Sequence, residues 1–332
     1  MKPVVTVLGA SGFIGSAVTA ALSQRPVHLR AVARRPAQVP ANGLADVEIR
    51  TADLTDPHAL AEAVAGSDAV IHLLLYTGGW RAAAEDPSSE HVNVGVMRNL
   101  IGILEASREK GATGPPPLVV YGGAASQIGV PPDRPIDGTE PDEPGTVYDQ
   151  QKLAAEQALM AATAAGTVRG VSLRLPTVFG HVAGTDTFDR GVVSTMIRKA
   201  LAGEDLTMWH DGTVKRDLVH VDDVARAFLA ALDHPEPLNG RHWLLGSGLG
   251  EELGAVFGTI ADAVARHTGK NPVPVVSVTP PDHAPATDFR SVTIDSSRFR
   301  SVTGWAPEVP LRTAVERTIA ALDARHTEGT SA

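Results

Sequence analysis

Val4-Val5-Thr6-Val7-Leu8-Gly9-Ala10-Ser11-Gly12-Phe13-Ile14-Gly15 decides the reading of this chain. A run of strand-forming residues ends directly on three glycines, at 9, 12 and 15, and a stretch compatible with helix, Phe13 to Leu22, follows at once. Strand, glycine turn and helix in that order make the phosphate-binding corner of a dinucleotide site. Gly9 permits the tight turn. Gly12 lets the backbone approach a pyrophosphate at the positive end of the helix dipole, and Gly15 lets the helix pack closely on the strand. Ser11, Phe13 and Ile14 belong to the same turn and are expected to line the same site.

Outward from this corner, apolar runs of strand length recur at Val27 to Ala33, Val47 to Arg50, Ala69 to Leu75, Leu118 to Tyr121 and Val171 to Leu175. Helix-compatible stretches such as Pro57 to Ala65 lie between most of them. The alternation predicts an α/β fold, a doubly wound Rossmann parallel sheet with helices on both faces. Ser89 to Lys110 reads as one long helix, closed by Thr113-Gly-Pro-Pro-Pro117, because proline removes backbone donors and disfavours helix before it. Pro131 to Gly145 reads as a long ordered loop leading to a helix at Thr146 to Ala165.

Beyond Gly180 the rhythm becomes irregular, with helices near Arg190 to Ala202, Val221 to Leu232 and Glu252 to Thr268 and a strand near Asp205 to Trp209. The expected organisation is a dinucleotide-binding domain over 1–179 and 216–246, a smaller mixed substrate lobe over 180–215 and 247–325, and a frayed tail over 326–332.

The 332 residues suit roughly two lobes of about 150 residues each. A net charge of -9 with dispersed Lys and Arg would repel a phosphate backbone over most of the surface, so nucleic acid is not an expected partner. The absence of Cys excludes disulfides, thiolate metal sites and a thiol nucleophile. The His residues show no compact metal-ligand spacing; His210, His220, His234 and His242 read as surface or packing residues, and no metal is expected. The apolar run Ala69 to Leu75 is far short of the about twenty residues that cross a bilayer. Met1 leads directly into a strand, so neither a membrane span nor a signal peptide is expected, and the expected location is cytoplasmic.

Candidate site residues follow from position. An NAD site carries Asp or Glu at the end of the second strand to hold the ribose 2′-hydroxyl, whereas Arg34 and Arg35 stand there in this chain. Guanidinium groups suit a 2′-phosphate, which points to NADP(H), unless the pair is simply a solvated surface feature. Asp53-Leu54, at the end of the third strand, either meets the adenine end or caps the next helix. Tyr148-Asp149-Gln150-Gln151-Lys152 sets a Tyr and a Lys on one face at the start of a helix. A neighbouring ammonium favours the phenolate, which would bring Tyr148 toward a usable acid-base range.

Together these residues resemble the extended short-chain dehydrogenase/reductase family, the group of nucleotide-sugar epimerases, dehydratases and reductases. Further matching segments are Val70-Ile71-His72-Leu73, Asn93-Val94, Arg174-Leu175-Pro176 with Val178-Phe179-Gly180, and Arg216-Asp217-Leu218-Val219-His220-Val221-Asp222-Asp223-Val224-Ala225. The resemblance implies that Tyr148 is the general acid or base and that Lys152 binds the nicotinamide ribose while lowering the Tyr pKa. It also implies that Leu73, Leu74 and Pro176 lie along the cofactor and Arg216 near the sugar-nucleotide phosphates. A homodimer built on the Ser89 to Lys110 and Tyr148 helices is expected by the same analogy.

Two departures matter. Where relatives place a Ser or Thr after the fifth strand, this chain has Ala124; Ser126 is the nearest hydroxyl and is assigned to the substrate oxygen, or is a loop residue. Thr177 stands where relatives often carry Asn against the substrate. Trp80 and His181 flank the expected cleft and either touch sugar or base or pack its rim. Ala125-Ser126-Gln127 lacks the Asp-Glu pair of the family's 4,6-dehydratases, which disfavours elimination. The segments Ala125 to Gly129, Ile136 to Glu140 and Tyr148 to Leu153 look like those of NDP-4-keto-6-deoxyhexose 4-ketoreductases of antibiotic deoxysugar pathways. The resemblance therefore implies NADPH-dependent reduction of a ketone on a dTDP-linked or similar nucleotide sugar. A nucleotide-sugar epimerase and a non-catalytic NADP-sensing regulator are the alternatives.

Overall fold

In chain order the elements are β1 (Val4–Leu8), α1 (Phe13–Ser23), β2 (His28–Ala33), β3 (Asp46–Thr51), α2 (Pro57–Val64), β4 (Ala69–His72), α3 (Ser88–Glu90), a π-helical stretch (His91–Gly95), α4 (Val96–Glu109), β5 (Leu118–Ala124), a 3-10 turn (Ala125–Ile128), α5 (Val147–Ala164), β6 (Arg169–Leu175) and β7 (Thr177–Phe179). There follow α6 (Val192–Ala202), β8 (Leu206–Met208), β9 (Lys215–His220), α7 (Val221–Asp233), α8 (Pro235–Leu238), β10 (Arg241–Leu244), β11 (Gly250–Glu252), α9 (Leu253–Thr268), β12 (Val275–Ser277), α10 (Ser297–Thr303) and α11 (Leu311–Gly329). This computed structural model describes residues 2–329 apart from 77, 79–82, 110, 112–113, 186, 210 and 281–285.

Among the described residues, seven strands form a sheet in the order β10-β6-β5-β4-β1-β2-β3. Each neighbouring pair runs parallel. Because side chains alternate along a strand, the sheet feeds two cores. Val5 and Val7 face α1 and α7, meeting Val18, Val224 and Phe228. Leu8, Val70 and Val119 face α2, α4 and α5, meeting Leu60, Leu100 and Leu159. Coverage on both faces is why β4 is buried throughout and reads as an unbroken apolar run. The fold is the doubly wound α/β architecture that the alternation predicts.

Local chemistry sets the element ends. Pro57 opens α2 with Asp56 as its cap, whose side chain accepts the His58 N–H at 2.9 Å. Thr146 caps α5, accepting the Asp149 N–H at 3.1 Å. The helix expected over Ser89 to Lys110 is interrupted by the π-helical stretch, a widened turn of the kind often found at functional sites. Its Asn93 donates to Gln151 Oε1 at 2.7 Å and accepts the Tyr76 N–H at 2.8 Å, tying the segment after β4 to α5. At the other end of the chain α11 continues to Gly329, into the stretch expected to fray. Neither Pro nor Gly interrupts Leu311 to Glu328, and Ala314, Val315, Thr318 and Ile319 give the helix a buried anchor.

The remaining strands lie outside the main sheet. β9 pairs parallel with β7 and antiparallel with β11, and β12 pairs with β8. With α6, α9 and α11 they enclose a separate core around Ile197, Phe257, Ile260 and Val315.

Candidate active site

A cavity of about 1840 Å³ opens over the carboxyl ends of the parallel strands. It includes the point where chain connections leave β1 and β4 in opposite directions, the usual ligand crevice of such sheets. Its floor is the glycine turn. Gly9 has φ +90°, and a Cβ there would stand 3.0 Å from the Leu73 carbonyl carbon and oxygen. A Cβ on Gly15 would lie 2.0 Å from Gly9 O, so only glycine lets α1 approach the turn. Gly12 donates its N–H to Gly9 O at 2.9 Å, and a Cβ on it would stand 3.2 Å from the same oxygen. Ser11, Phe13 and Ile14 line the same floor at the start of α1. This cradle of backbone at a helix N-terminus fits a pyrophosphate.

Arg34, Arg35, Asp53, Leu54, Leu73 and Leu74 also line the cavity. Both arginines are exposed at the end of β2. Asp53 is not the cap of α2; its Oδ1 accepts from the Thr55 N–H at 3.0 Å and hydroxyl at 2.8 Å. Those bonds, chiefly, and the positive charge of Arg34 hold its carboxyl below the usual range.

Tyr148 and Lys152 lie on α5 and both face the cavity, the Lys ammonium 6.0 Å from the Tyr148 ring centre and 4.9 Å from that of Tyr121. Lys152 Nζ donates to Gly122 O at 2.7 Å. Burial pushes the ammonium down to about 8, with Glu156 acting in the opposite sense. Burial, followed by the charge of Asp149, pushes the Tyr148 phenol above its usual range. Burial and Asp149 thus move Tyr148 in the direction opposite to the lowering that the resemblance implies for Lys152, and favour the protonated phenol. His72 lies beside the pair, its ring edge-on to Tyr121 at 5.5 Å, and burial and then Lys152 push it down to about 3.

Ser126 sits in the 3-10 turn after β5 and lines the cavity. Its hydroxyl donates to Asp149 Oδ1 at 2.5 Å, and the Thr146 hydroxyl donates to Asp149 Oδ2 at 2.6 Å. Asp149 escaped the sequence reading, although Thr146-x-x-Asp149 carries the helix capping pattern that marks such an acid.

The opposite side holds Pro176, Thr177 and Arg216, together with Arg190 and Arg198. Neither of the last two has a motif that marks it in the sequence. Arg216 donates to the carbonyls of Asp288 at 2.9 Å and Arg290 at 2.7 Å, which ties β9 to the segment before α10. His181 is outside the lining, its ring stacked on Phe188 at 4.6 Å. Trp80 and His210 fall outside the described residues.

Beneath α5, Arg174, 1% exposed, is clamped between Glu156 at 2.5 Å and Asp142 at 2.7 Å. Ser172 donates to Glu156 at 2.6 Å, and Gly123 gives this cluster room, since a Cβ there would lie 2.9 Å from Ser172 Oγ.

The profile of the NAD dependent epimerase/dehydratase family matches residues 5–246. The chain belongs to that family. A dTDP-L-rhamnose 4-epimerase from Burkholderia thailandensis is 28% identical, over 94% of this chain and 92% of its own. A dTDP-6-deoxy-L-talose 4-dehydrogenase (NAD(P)(+)) from Kitasatospora kifunensis is 27% identical, over 94% and 93%. Among solved structures, MoeE5 in complex with UDP-glucose and NAD superposes with a TM-score of 0.78 at 26% identity, covering 97% of this chain and 99% of that one. No helix among the described residues is long and apolar enough to cross a membrane.

Proposed function

We propose that this family member reduces the C4 ketone of a nucleotide-linked 4-keto-6-deoxyhexose, with dTDP the expected nucleotide and NADPH the expected reductant. The observation that carries this reading is the pair Arg34 and Arg35 at the end of β2, lining the cavity where a carboxylate would select NAD. A preference for NADPH suits consumption of reducing equivalents better than hydride returned to the same sugar. The relative named as a 4-dehydrogenase of a 6-deoxy sugar supports the same chemistry.

When bound, the nicotinamide supplies the hydride. Tyr148, kept protonated by burial, donates its proton to the oxygen that becomes the alcohol. Lys152 is steadied by Gly122 O beside that phenol, where it holds the ribose. Ser126 contacts the reacting oxygen, Leu73, Leu74 and Pro176 form apolar walls for the cofactor, and Thr177 faces the sugar. Arg216, with Arg190 and Arg198, supplies guanidinium charge for the nucleotide phosphates. Elimination is disfavoured because Ala125-Ser126-Gln127 carries no carboxylate where the resembled 4,6-dehydratases have an Asp-Glu pair. The second lobe, 180–215 and 247–325, would hold the sugar nucleotide, and two copies would pair through α4 and α5.

Epimerisation at C4 is the second reading, favoured by the relative named as a 4-epimerase over nearly the whole chain. Purified protein given NADPH or NADH and a dTDP-4-keto-6-deoxyhexose generated in situ separates the two. Loss of nicotinamide absorbance that requires the keto sugar and prefers NADPH is the expected result. Isomerised sugar with no net NADPH consumed would overturn it in favour of epimerisation.

A further inference from the structure

The 3-10 turn after β5 brings Ser126 against the first turn of α5, where Asp149 receives two hydroxyl protons, one from Ser126 and one from Thr146. Asp149 also donates its N–H to Thr146 Oγ1, so the orientation of the Thr146 hydroxyl is fixed by the helix cap. All three residues line the cavity beside Tyr148, and Asp149 is 6% exposed. A serine hydroxyl has one proton to give. While that proton points at Asp149, Ser126 shows the cavity only lone pairs, and a ketone oxygen, itself an acceptor, gains nothing from it. A protonated Asp149 reverses the arrangement: its O–H donates to Ser126 Oγ and the serine proton turns to the cavity. Ala124 has no hydroxyl to substitute.

We propose that Asp149 is a positioning residue that sets the direction of the Ser126 hydroxyl, a donor to a ketone when Asp149 is protonated and an acceptor from an alcohol when it is ionised. The inference rests on Ser126 contacting the reacting oxygen, as read above. Burial supports it by raising the Asp149 carboxyl above its usual range, against the pull of the two hydroxyl bonds. The groups facing Asp149 are Ser126 from the turn after β5, Thr146 from the loop before α5, and Tyr148 on α5 itself; Lys152, further along α5, is held on Gly122 O.

The test compares wild type, Ser126→Ala, Asp149→Asn and the double variant, in ketone reduction and in alcohol oxidation, from mildly acidic to mildly alkaline pH. Asn keeps the shape and can bond both hydroxyls, so the fold should survive, and NADPH binding checks that it has. Ser126→Ala should lose roughly tenfold in kcat in both directions, the value of one hydrogen bond to the reacting oxygen, whereas Asp149→Asn, whose amide N–H can donate to Ser126 Oγ as protonated Asp149 does, should keep reduction and lose roughly tenfold in oxidation. The double variant should lose no more than Ser126→Ala alone. In wild type, reduction should fall and oxidation rise as pH climbs through the Asp149 midpoint, and Asp149→Asn should remove both limbs. Additive losses, or limbs that survive in Asp149→Asn, overturn the proposal. Full activity in Ser126→Ala alongside an inactive Tyr148→Phe also overturns it while leaving the ketone reading intact.

Carbon NMR of labelled aspartate gives a readout independent of turnover. Removing the Ser126 hydroxyl should raise the Asp149 midpoint, because the carboxylate loses a donor. An unmoved midpoint overturns the pair. A raised midpoint in a protein that reduces no keto sugar supports the pair and removes the ketone reading.

Discussion

The two walls of the cavity are built from different material. Along β1, β2 and β4 the surface is largely backbone, held open by Gly9, Gly12 and Gly15, and a Cβ on Gly9 or Gly15 would press on carbonyl atoms. Along β5, α5 and β7 it is side chains, Ser126, Tyr148, Asp149, Lys152 and Thr177, each oriented by partners or burial rather than by the chain path. A backbone wall recognises a generic group, a pyrophosphate, and leaves little room for variation. A side-chain wall can exchange its chemistry while the fold stays the same, which is where family members diverge in reaction.

Tyr148→Phe should produce the largest effect. Loss of the acid proton is expected to lower turnover by roughly 10²–10⁴-fold, with NADPH affinity and melting temperature near wild type. Equal damage to cofactor binding would show that the two walls are not separable. Gly15→Ala attacks the other wall. The added methyl meets Gly9 O, a backbone atom that cannot swing away, so α1 must shift, at a cost of about 1–3 kcal/mol or more. Thermal unfolding and NADPH titration should both report the loss; wild-type values for both would break the idea that this wall depends on backbone approach.

That contrast also explains what the sequence made legible. The glycine turn, the strand alternation and the Tyr148-to-Lys152 spacing are local patterns, and all of them reappear in the fold or along the cavity. The Asn93–Gln151 bond and the Glu156–Arg174–Asp142 cluster are pairings between distant segments, for which no local spacing exists. Asp149 was hidden in plain view, one residue after Tyr148, because its role depends on a turn more than twenty positions earlier in the chain. His181 fits the rim-packing side of its reading, since its ring stacks on Phe188, a residue of the cavity lining. The π-helical stretch was equally illegible, since its residues differ little from those of an ordinary helix.

Arg34→Ala combined with Arg35→Ala sharpens the comparison within the backbone wall, because it removes side chains from a place where they alone choose between cofactors. Both arginines are exposed, so a loss of roughly tenfold in NADPH affinity is expected, with NADH affinity nearly unchanged. Equal weakening of both cofactors would assign the pair to general attraction and remove the main support for net reduction.

The smallest expected effect is a pH slope from Lys152, and it bears on what the side-chain wall costs the fold. Burial lowers this ammonium from 10.5 to about 8, so the folded chain releases the proton before the unfolded chain does. Below about 8 both states hold it and the desolvation penalty is felt in full. Between about 8 and 10.5 the unfolded state binds more protons, and stability should rise with pH by at most about 1.4 kcal/mol per unit. Tyr148 and Tyr121, whose phenols burial raises above 10.0, act with the opposite sign at higher pH. The readout is therefore the difference between wild type and Lys152→Met in denaturant unfolding across the window. The variant should be the more stable protein below about 8, and its advantage should shrink as pH rises. A constant advantage would mean that Lys152 stays charged in the fold, which would restore its expected role of drawing the Tyr148 proton down.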